Sequence, residues 1–349
     1  MRPAECLAGL ILNGGWKVIQ RVTPPPHATG GHFSVGYLVE DQSGRKAYLK
    51  ALDFSVAFQA PDFARELQSM LAAYNFERDL LAKCKDRKLD RVVTPLADGT
   101  VKVPGNFGPL ENVCYLIFEK AKGDIRDIVA QFAAFDLAWC LRSLHNSAVG
   151  LMQLHSTGIA HQDLKPSNVL VFSDLGSKIA DLGRASDSSV SSPTDGHQIP
   201  GDMGYASPEQ FYDIQKQRTF PERCLADLYL LGSLFFFYFA KCSATQAINA
   251  KIRGFTGINF TNTDFNNDLP YIRQAFQEAM LDLEAQIQPL AGALTPSIMA
   301  LVSQLCEPDP KRRGDPKNID SLSLVPQHSL ERFVSAFNIL ASKAELNII

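Results

Sequence analysis

Between Trp16 and about Phe118 the apolar residues fall in short alternating runs bounded by turn residues: WKVIQRV, then HFSVGYLVE, then KAYLKALDF after a turn at Gln42 to Gly44. Alternation places successive side chains on opposite faces of a strand, so this stretch predicts an antiparallel sheet. From Asp62 to Lys88 the period lengthens. Phe63, Leu67, Met70, Leu71, Tyr74, Leu80 and Leu81 recur mostly at three- and four-residue steps, the spacing of one helix face, which predicts one or two helices interrupting the strands. RVVTPLADGTVKV and NVCYLIFEKA then resume strand character on either side of the Pro- and Gly-rich loop VPGNFGPLEN.

After Lys122 helical spacing dominates, first through Leu137, Leu141, Leu144, Ala148, Leu151 and His155. At the far end Leu330, Phe333, Phe337 and Leu340 predict a terminal helix packed on the body. Strands first and helices afterwards predict an α+β protein in two lobes: a sheet lobe with its helix over 1–118, a hinge over 119–124 and a helical lobe over 125–349. SDSSVSSPT, from Ser186 to Thr194, is small and polar and predicts an exposed, mobile loop. The most apolar run, LYLLGSLFFFYFA from Leu228 to Ala240, has 13 residues against the about 20 that a membrane span needs, and reads as a buried core helix. The first residues, MRPAECLAGLILNGGWK, hold one early positive charge and a short apolar run with no small-residue cleavage site, so no signal peptide is expected.

Composition narrows the class. A 349-residue chain is long for one small core, and 46% hydrophobic with 20% charged residues is the balance of a globular protein, which excludes disorder and collagen. Thirty-four basic against 37 acidic residues leave a formal charge of -3, with no electrostatic case for nucleic-acid binding by the chain as a whole. Seven scattered cysteines, odd in number and never spaced CxxC, argue against a disulfide framework and a zinc site, and fit a reducing, cytoplasmic setting with no membrane partner.

The chemistry concentrates in His161-Gln162-Asp163-Leu164-Lys165-Pro166-Ser167-Asn168, followed by Val169-Leu170-Val171 and, after a turn, Ile179-Ala180-Asp181-Leu182-Gly183. Two short strands enclose a polar loop that offers a carboxylate, an amine two residues later and an amide five residues after the carboxylate, with a second carboxylate closing the hairpin. Such groups suit phosphoryl transfer, which needs an oriented acceptor hydroxyl, metal ions on the phosphates and positive charge near the migrating group.

These residues resemble the eukaryotic-type (Hanks-type) serine/threonine protein kinase family, whose catalytic loop is H-R-D-L-x-x-x-N and whose metal motif is D-F-G. Further features follow in order. Gly201 to Glu209, GDMGYASPE, resembles the substrate-docking loop ending in A-P-E; Asp227 with Gly232 resembles the helix whose aspartate holds the catalytic-loop backbone; Asp309-Pro310-Lys311-Arg312-Arg313 resembles D-P-x-x-R, whose arginine pairs with Glu209. The resemblance implies a bilobal kinase fold with ATP and two Mg2+ ions between the lobes and a protein Ser/Thr hydroxyl as acceptor, since D-L-K-P-x-N loops are similar to those of Ser/Thr kinases. It implies that Asp163 takes the acceptor proton, Lys165 neutralises the γ-phosphoryl, and Asn168 and Asp181 hold Mg2+. Lys50 would grip the phosphates when paired to Glu77, with Glu66 the rival; Leu80 and Leu81 after Glu77 favour it. The hinge around Glu119, Lys120 and Ala121 would hold adenine, with Phe118 at the back of the pocket, and Gly30, Gly31 and Phe33 would cradle phosphates.

Departures accompany the match. Thr29-Gly30-Gly31-His32-Phe33-Ser34 keeps only Gly31 and Phe33 of G-x-G-x-F-G, Tyr48 stands where the family has a small alanine, and Gln162 replaces the arginine that contacts a phosphorylated activation loop. His161 reads as structural, and the serines from Ser186 to Ser192 read either as autophosphorylation sites or as a plain polar loop. Two rivals share the fold: a small-molecule kinase, against which GDMGYASPE and Arg313 speak, and a pseudokinase scaffold, against which the set Lys50, Asp163, Asn168 and Asp181 speaks.

Overall fold

A computed structural model describes residues 2–23, 34–105, 107–173, 176–212, 217–252, 264–320 and 322–347. It divides into two compact units, Met1–Leu89 with Val93–Lys122, and Asp90–Val92 with Gly123–Ile349. The first is built on a sheet and the second is mostly helical, the α+β class expected from strands followed by helices.

In the first unit, β1 (Lys17–Arg21), β2 (Ser34–Glu40), β3 (Lys46–Leu52), β4 (Pro95–Lys102) and β5 (Asn112–Glu119) form one antiparallel sheet in the order β1-β2-β3-β5-β4. Alternation assigns one face to the core. Val35, Tyr37 and Val39 of β2, Ala47, Leu49 and Ala51 of β3, and Val113, Tyr115 and Ile117 of β5 are all buried in one cluster. Sequence reading assigned no role to the first fifteen residues, yet Ala4, Leu7 and Leu12 close this cluster from outside the sheet. The Tyr37 hydroxyl donates to the Ala4 carbonyl at 2.8 Å, and Arg2 reaches the buried carboxylate of Asp53 at 2.8 Å.

The stretch from Asp62 folds as a single helix, α1 (Phe63–Asp86), with the Asp62 carboxylate accepting the Arg65 N–H at 3.1 Å as its N-cap. Only the second half of its predicted apolar face is buried: Tyr74, Leu80 and Leu81 are inside, whereas Phe63, Leu67 and Met70 are half-buried and Leu71 is exposed.

The second unit begins with β6 (Gly123–Asp124), α2 (Ile125–Val129), α3 (Leu137–Ser156), β7 (Ile159–Ala160), β8 (Val169–Phe172), β9 (Gly176–Ile179) and β10 (Ser186–Asp187). It continues through α4 (Phe220–Ala240), α5 (Ala244–Ile252), α6 (Phe265–Ala291), α7 (Thr295–Leu305), α8 (Pro316–Ile319) and α9 (Glu331–Glu345). Asp90–Val92 joins this unit because Ile179 N–H donates to the Arg91 carbonyl at 2.9 Å and Arg91 N–H donates to the Gln153 side chain at 3.0 Å. The terminal helix packs as its spacing predicts, with Phe333, Phe337 and Leu340 buried and Arg142 of α3 bound to Glu345 at 2.8 Å. The 13-residue apolar run lies within the 21 residues of α4. By length and composition Phe220–Ala240 and Phe265–Leu305 both qualify as membrane spans, and 83% of the most apolar window of the first is buried, so burial marks α4 as the core helix that length alone does not. Gly232 lets α4 approach α7 closely, since a Cβ there would lie 2.8 Å from that of Leu305.

The segment expected as an exposed loop is exposed through its middle and fastened at both ends. Ser186 and Asp187 pair with Ala160 and Ile159, and Ser186, Ser192 and Thr194 are buried, leaving Ser188, Ser189 and Ser191 exposed. Small polar composition does not distinguish hydroxyls facing water from hydroxyls turned inward onto backbone, as that of Ser192 is on the Ala185 carbonyl at 3.0 Å. Beyond them the Asp195 carboxylate meets Arg223 of α4 at 2.6 Å and accepts the Ser192 N–H at 2.8 Å, both side chains being largely buried. Asp195→Asn is expected to release the segment between Arg184 and Pro200, because breaking a buried pair costs about 3–5 kcal/mol. Limited proteolysis with mass mapping checks this: cleavage inside the segment should quicken in the variant, with cuts elsewhere unchanged.

Candidate active site

In the sheet unit, β3 turns Ala47, Leu49 and Ala51 into the core, so Tyr48 and Lys50 project from the opposite face. The Lys50 ammonium meets both oxygens of the Glu77 carboxylate, at 2.9 and 3.1 Å, and Glu77 is buried on the packed half of α1. Glu77, and not Glu66, is therefore the partner. Tyr74, Leu80 and Leu81 turn that helix face inward, while Glu66 sits on the less buried first turn. Tyr48 stands opposite Phe118 in register, and its ring lies across Gly36, where any Cβ would come within 3.0 Å of ring carbons. The larger residue fits because the neighbouring strand carries no side chain there. Glu119 ends β5 opposite Ala47, and half-buried Ala121 lies in the connection that follows. Gly30, Gly31 and Phe33 lie outside the described residues.

In the helical unit, the loop from His161 to Asn168 links β7 to β8. Its backbone hangs on Asp227, fully buried in α4, whose two carboxylate oxygens accept the N–H groups of His161 and Gln162 at 2.7 Å each. Gln162 is held at φ 61°, a left-handed conformation that a residue with a Cβ adopts only when its surroundings impose it. His161 is structural, as its sequence context predicts: its ring bonds the Ala180 carbonyl at 3.1 Å through Nε2 and accepts the Asp163 N–H at 3.3 Å through Nδ1.

Asp163, Lys165 and Asn168 converge. Lys165 Nζ lies 3.2 Å from the Asp163 carboxylate, and Asn168 Nδ2 donates to the Asp163 carbonyl at 2.8 Å and to Oδ2 at 3.1 Å. Burial raises the Asp163 carboxyl above the ordinary carboxylate value, and the nearby Asp181 adds to this, while Lys165, His161 and the Asp202 N–H oppose it. A carboxylate with raised proton affinity, still paired to a cation, suits a general base for a hydroxyl. Asp181 is exposed and left-handed at φ 65°; the β8–β9 hairpin brings its base to Asn168, whose carbonyl accepts the Ala180 N–H at 2.8 Å.

The amide oxygen of Asn168 and the carboxylate of Asp181 are hard oxygen donors. Among the described residues no group of three His, Cys, Asp or Glu side chains encloses a metal by itself. Two oxygens fit Mg2+, which keeps several waters and takes the remaining ligands from phosphates.

The docking loop presses on the same centre. Gly201 allows the approach, because a Cβ there would lie 2.7 Å from an oxygen of the Asp163 carboxylate. Asp202 donates its N–H to Asp163 at 2.8 Å and reaches Lys165 at 3.3 Å, a role that sequence reading, which took GDMGYASPE as a docking loop alone, missed. Farther on, Glu209 and the fully buried Arg313 form a bidentate pair at 2.8 Å on both sides, and the remaining guanidinium donors reach the carbonyls of Glu307, Leu225 and Pro308.

Burial acts to raise the Glu209 carboxyl, but Arg313 and the Ser207 hydroxyl outweigh it and hold the group below its ordinary value. A depressed carboxyl stabilises the fold fully above its unfolded value, and that contribution fades as pH falls through the lowered one. Glu209→Gln or Arg313→Met is expected to cost about 3–5 kcal/mol in urea unfolding at neutral pH, with the deficit of Glu209→Gln shrinking toward acid.

The protein kinase domain family model matches residues 40–322 of the chain. Among curated proteins, the chain is similar to "Probable serine/threonine-protein kinase PknB" of Bifidobacterium longum, at 27% identity over 195 residues, 53% of this chain and 28% of that protein. It is also 35% identical over 130 residues to "Leucine-rich repeat receptor-like serine/threonine/tyrosine-protein kinase SOBIR1" of Arabidopsis thaliana, covering 34% of this chain and 19% of that protein. A third relative, "Probable serine/threonine-protein kinase CE0033" of Corynebacterium efficiens, is 30% identical over 128 residues, 36% of this chain and 18% of the relative. The chain thus spans less than a third of the length of each of these. A family model that follows most of the chain, residues 40–322, makes this chain a member of the protein kinase domain family.

Proposed function

We propose that the protein is an ATP- and Mg2+-dependent serine/threonine protein kinase. The observation that carries this reading is the convergence of Asp163, Lys165 and Asn168 on one buried loop, with Asp163 within hydrogen-bond reach of both partners. Relatives named as serine/threonine kinases, and the Lys165 of D-L-K-P-S-N, support the choice of acceptor.

When bound, Mg2+-ATP supplies the γ-phosphoryl and part of the charge neutralisation that its transfer requires. The chain's own residues do the rest. Asp163 orients the acceptor hydroxyl and takes its proton on the carboxylate. Lys165 places positive charge beside Asp163, where the transferred group's negative charge must be met. Asn168 and Asp181 provide the oxygen ligands for metal. Lys50, paired to both oxygens of Glu77, would present its ammonium to phosphate oxygens, and Glu119 and Ala121 would offer backbone groups to the base.

Arg313 and the docking loop favour a polypeptide acceptor over a small alcohol. The chain covers only part of the length of its relatives, so the substrate is proposed as a class, a Ser or Thr hydroxyl in a protein.

Intact-mass analysis after incubation with Mg2+-ATP and a generic basic protein tests the proposal. Wild type is expected to add phosphate to itself or to the substrate, and Asp163→Asn to be slower by about a hundredfold or more, the scale of losing a general base. Absence of transfer by folded wild type that still binds nucleotide would sink it.

A further inference from the structure

The loop from Gly201 to Ala206 carries a carboxylate at Asp202 whose two oxygens face different ways. Oδ1 accepts the N–H of Gly204 at 2.8 Å, and Oδ2 lies 3.3 Å from Lys165 Nζ. The Asp202 N–H donates to Oδ1 of Asp163 at 2.8 Å, so the residue touches both ends of the Asp163–Lys165 pair. Its own position is stiff. Tyr205 and Ala206 N–H groups both donate to the Asp202 carbonyl at 3.0 Å, Thr245 at the start of α5 donates to the Ala206 carbonyl at 2.8 Å, and the Ser243 hydroxyl donates to the Gly204 carbonyl.

We propose that Asp202 is a positioning residue of the catalytic centre, one oxygen bracing the docking loop and the other fixing the Lys165 ammonium beside Asp163. The proposal rests on the kinase reading. A lysine side chain has four rotatable bonds and a point charge, so one partner leaves its ammonium free to swing about that contact. Asp163 is itself shared, since its Oδ2 also receives Asn168 and its Oδ1 receives the Asp202 N–H. A second carboxylate, fastened to a braced loop, defines where the ammonium sits before the phosphoryl group arrives, which is where positional error is expensive in rate.

Asp202→Asn separates this role from a merely structural one. The amide keeps an oxygen for Gly204 and the backbone N–H for Asp163, and loses only the anionic contact to Lys165. Two measurements are made on full-length protein. The first is steady-state kinetics with Mg2+-ATP and a basic protein substrate, where kcat is expected to fall about tenfold with the KM for ATP changed less than about twofold. The second, without nucleotide, is mass-spectrometric acetic anhydride labelling of Lys165, expected to quicken several-fold while exposed lysines label as before. Asp202→Glu, which keeps the charge, should fall between wild type and Asp202→Asn in both, and guards against misfolding of the amide variant. Unchanged or raised kcat with unchanged Lys165 labelling in Asp202→Asn, or a glutamate variant no better than the amide, overturns the proposal. Failure of the kinase reading looks different: wild type would transfer no phosphate, while the labelling contrast would still report whether Asp202 holds Lys165.

Discussion

The Asp227 carboxylate is the constraint on which the catalytic loop depends. It is buried within α4, whose window of highest hydropathy is 83% buried, and a bare carboxylate there would be costly; its two backbone donors and the His155 ring at 2.8 Å are what make the position tolerable. In return it fixes two successive peptide N–H groups, forces Gln162 into a left-handed conformation and so aims Asp163. From that fixed point the rest follows by short links. His161 ties the loop to Ala180, Asn168 closes it onto Asp163, and the β8–β9 hairpin delivers Asp181 beside them.

The sheet unit solves a separate problem, that of holding a lysine charge where water is partly excluded. Strand alternation commits one face of β3 to the core shared with the N-terminal segment, which leaves Lys50 no choice of side, and α1 then brings a buried glutamate to meet it. The pairing of Tyr48 with Gly36 shows the same economy of space. A ring covers a strand position that has no side chain of its own, so a substitution that looks bulky in sequence is accommodated by its neighbour.

Anchorage of the segment after Asp181 is a second theme. Gln162 stands where a phosphate-binding arginine would be expected, and the segment after Asp181 is held by other means: a two-residue strand, inward hydroxyls and the Asp195–Arg223 pair. Three serines of this segment, Ser188, Ser189 and Ser191, are exposed, whereas Ser186 and Ser192 are turned inward.

Much of the fold and the catalytic loop was legible in the chain itself, because both rest on local rules. Period two against period three to four separated sheet from helix, and the spacing of Asp163, Lys165 and Asn168 within one short loop made their convergence a matter of local geometry. The Glu209–Arg313 and Asp227 contacts could be named in advance only through resemblance to a family, since nothing local links residues 104 or 66 positions apart. What only the tertiary structure decided has a common cause. Burial of Ala4, Leu7 and Leu12, the Lys50–Glu77 contact that the sequence only favoured, the inward turn of Ser192 and Thr194, and the contact of Asp202 with Lys165 each depend on which distant surface a side chain meets. Composition and periodicity describe a residue's own element, and a contact between elements is set by packing that neither records.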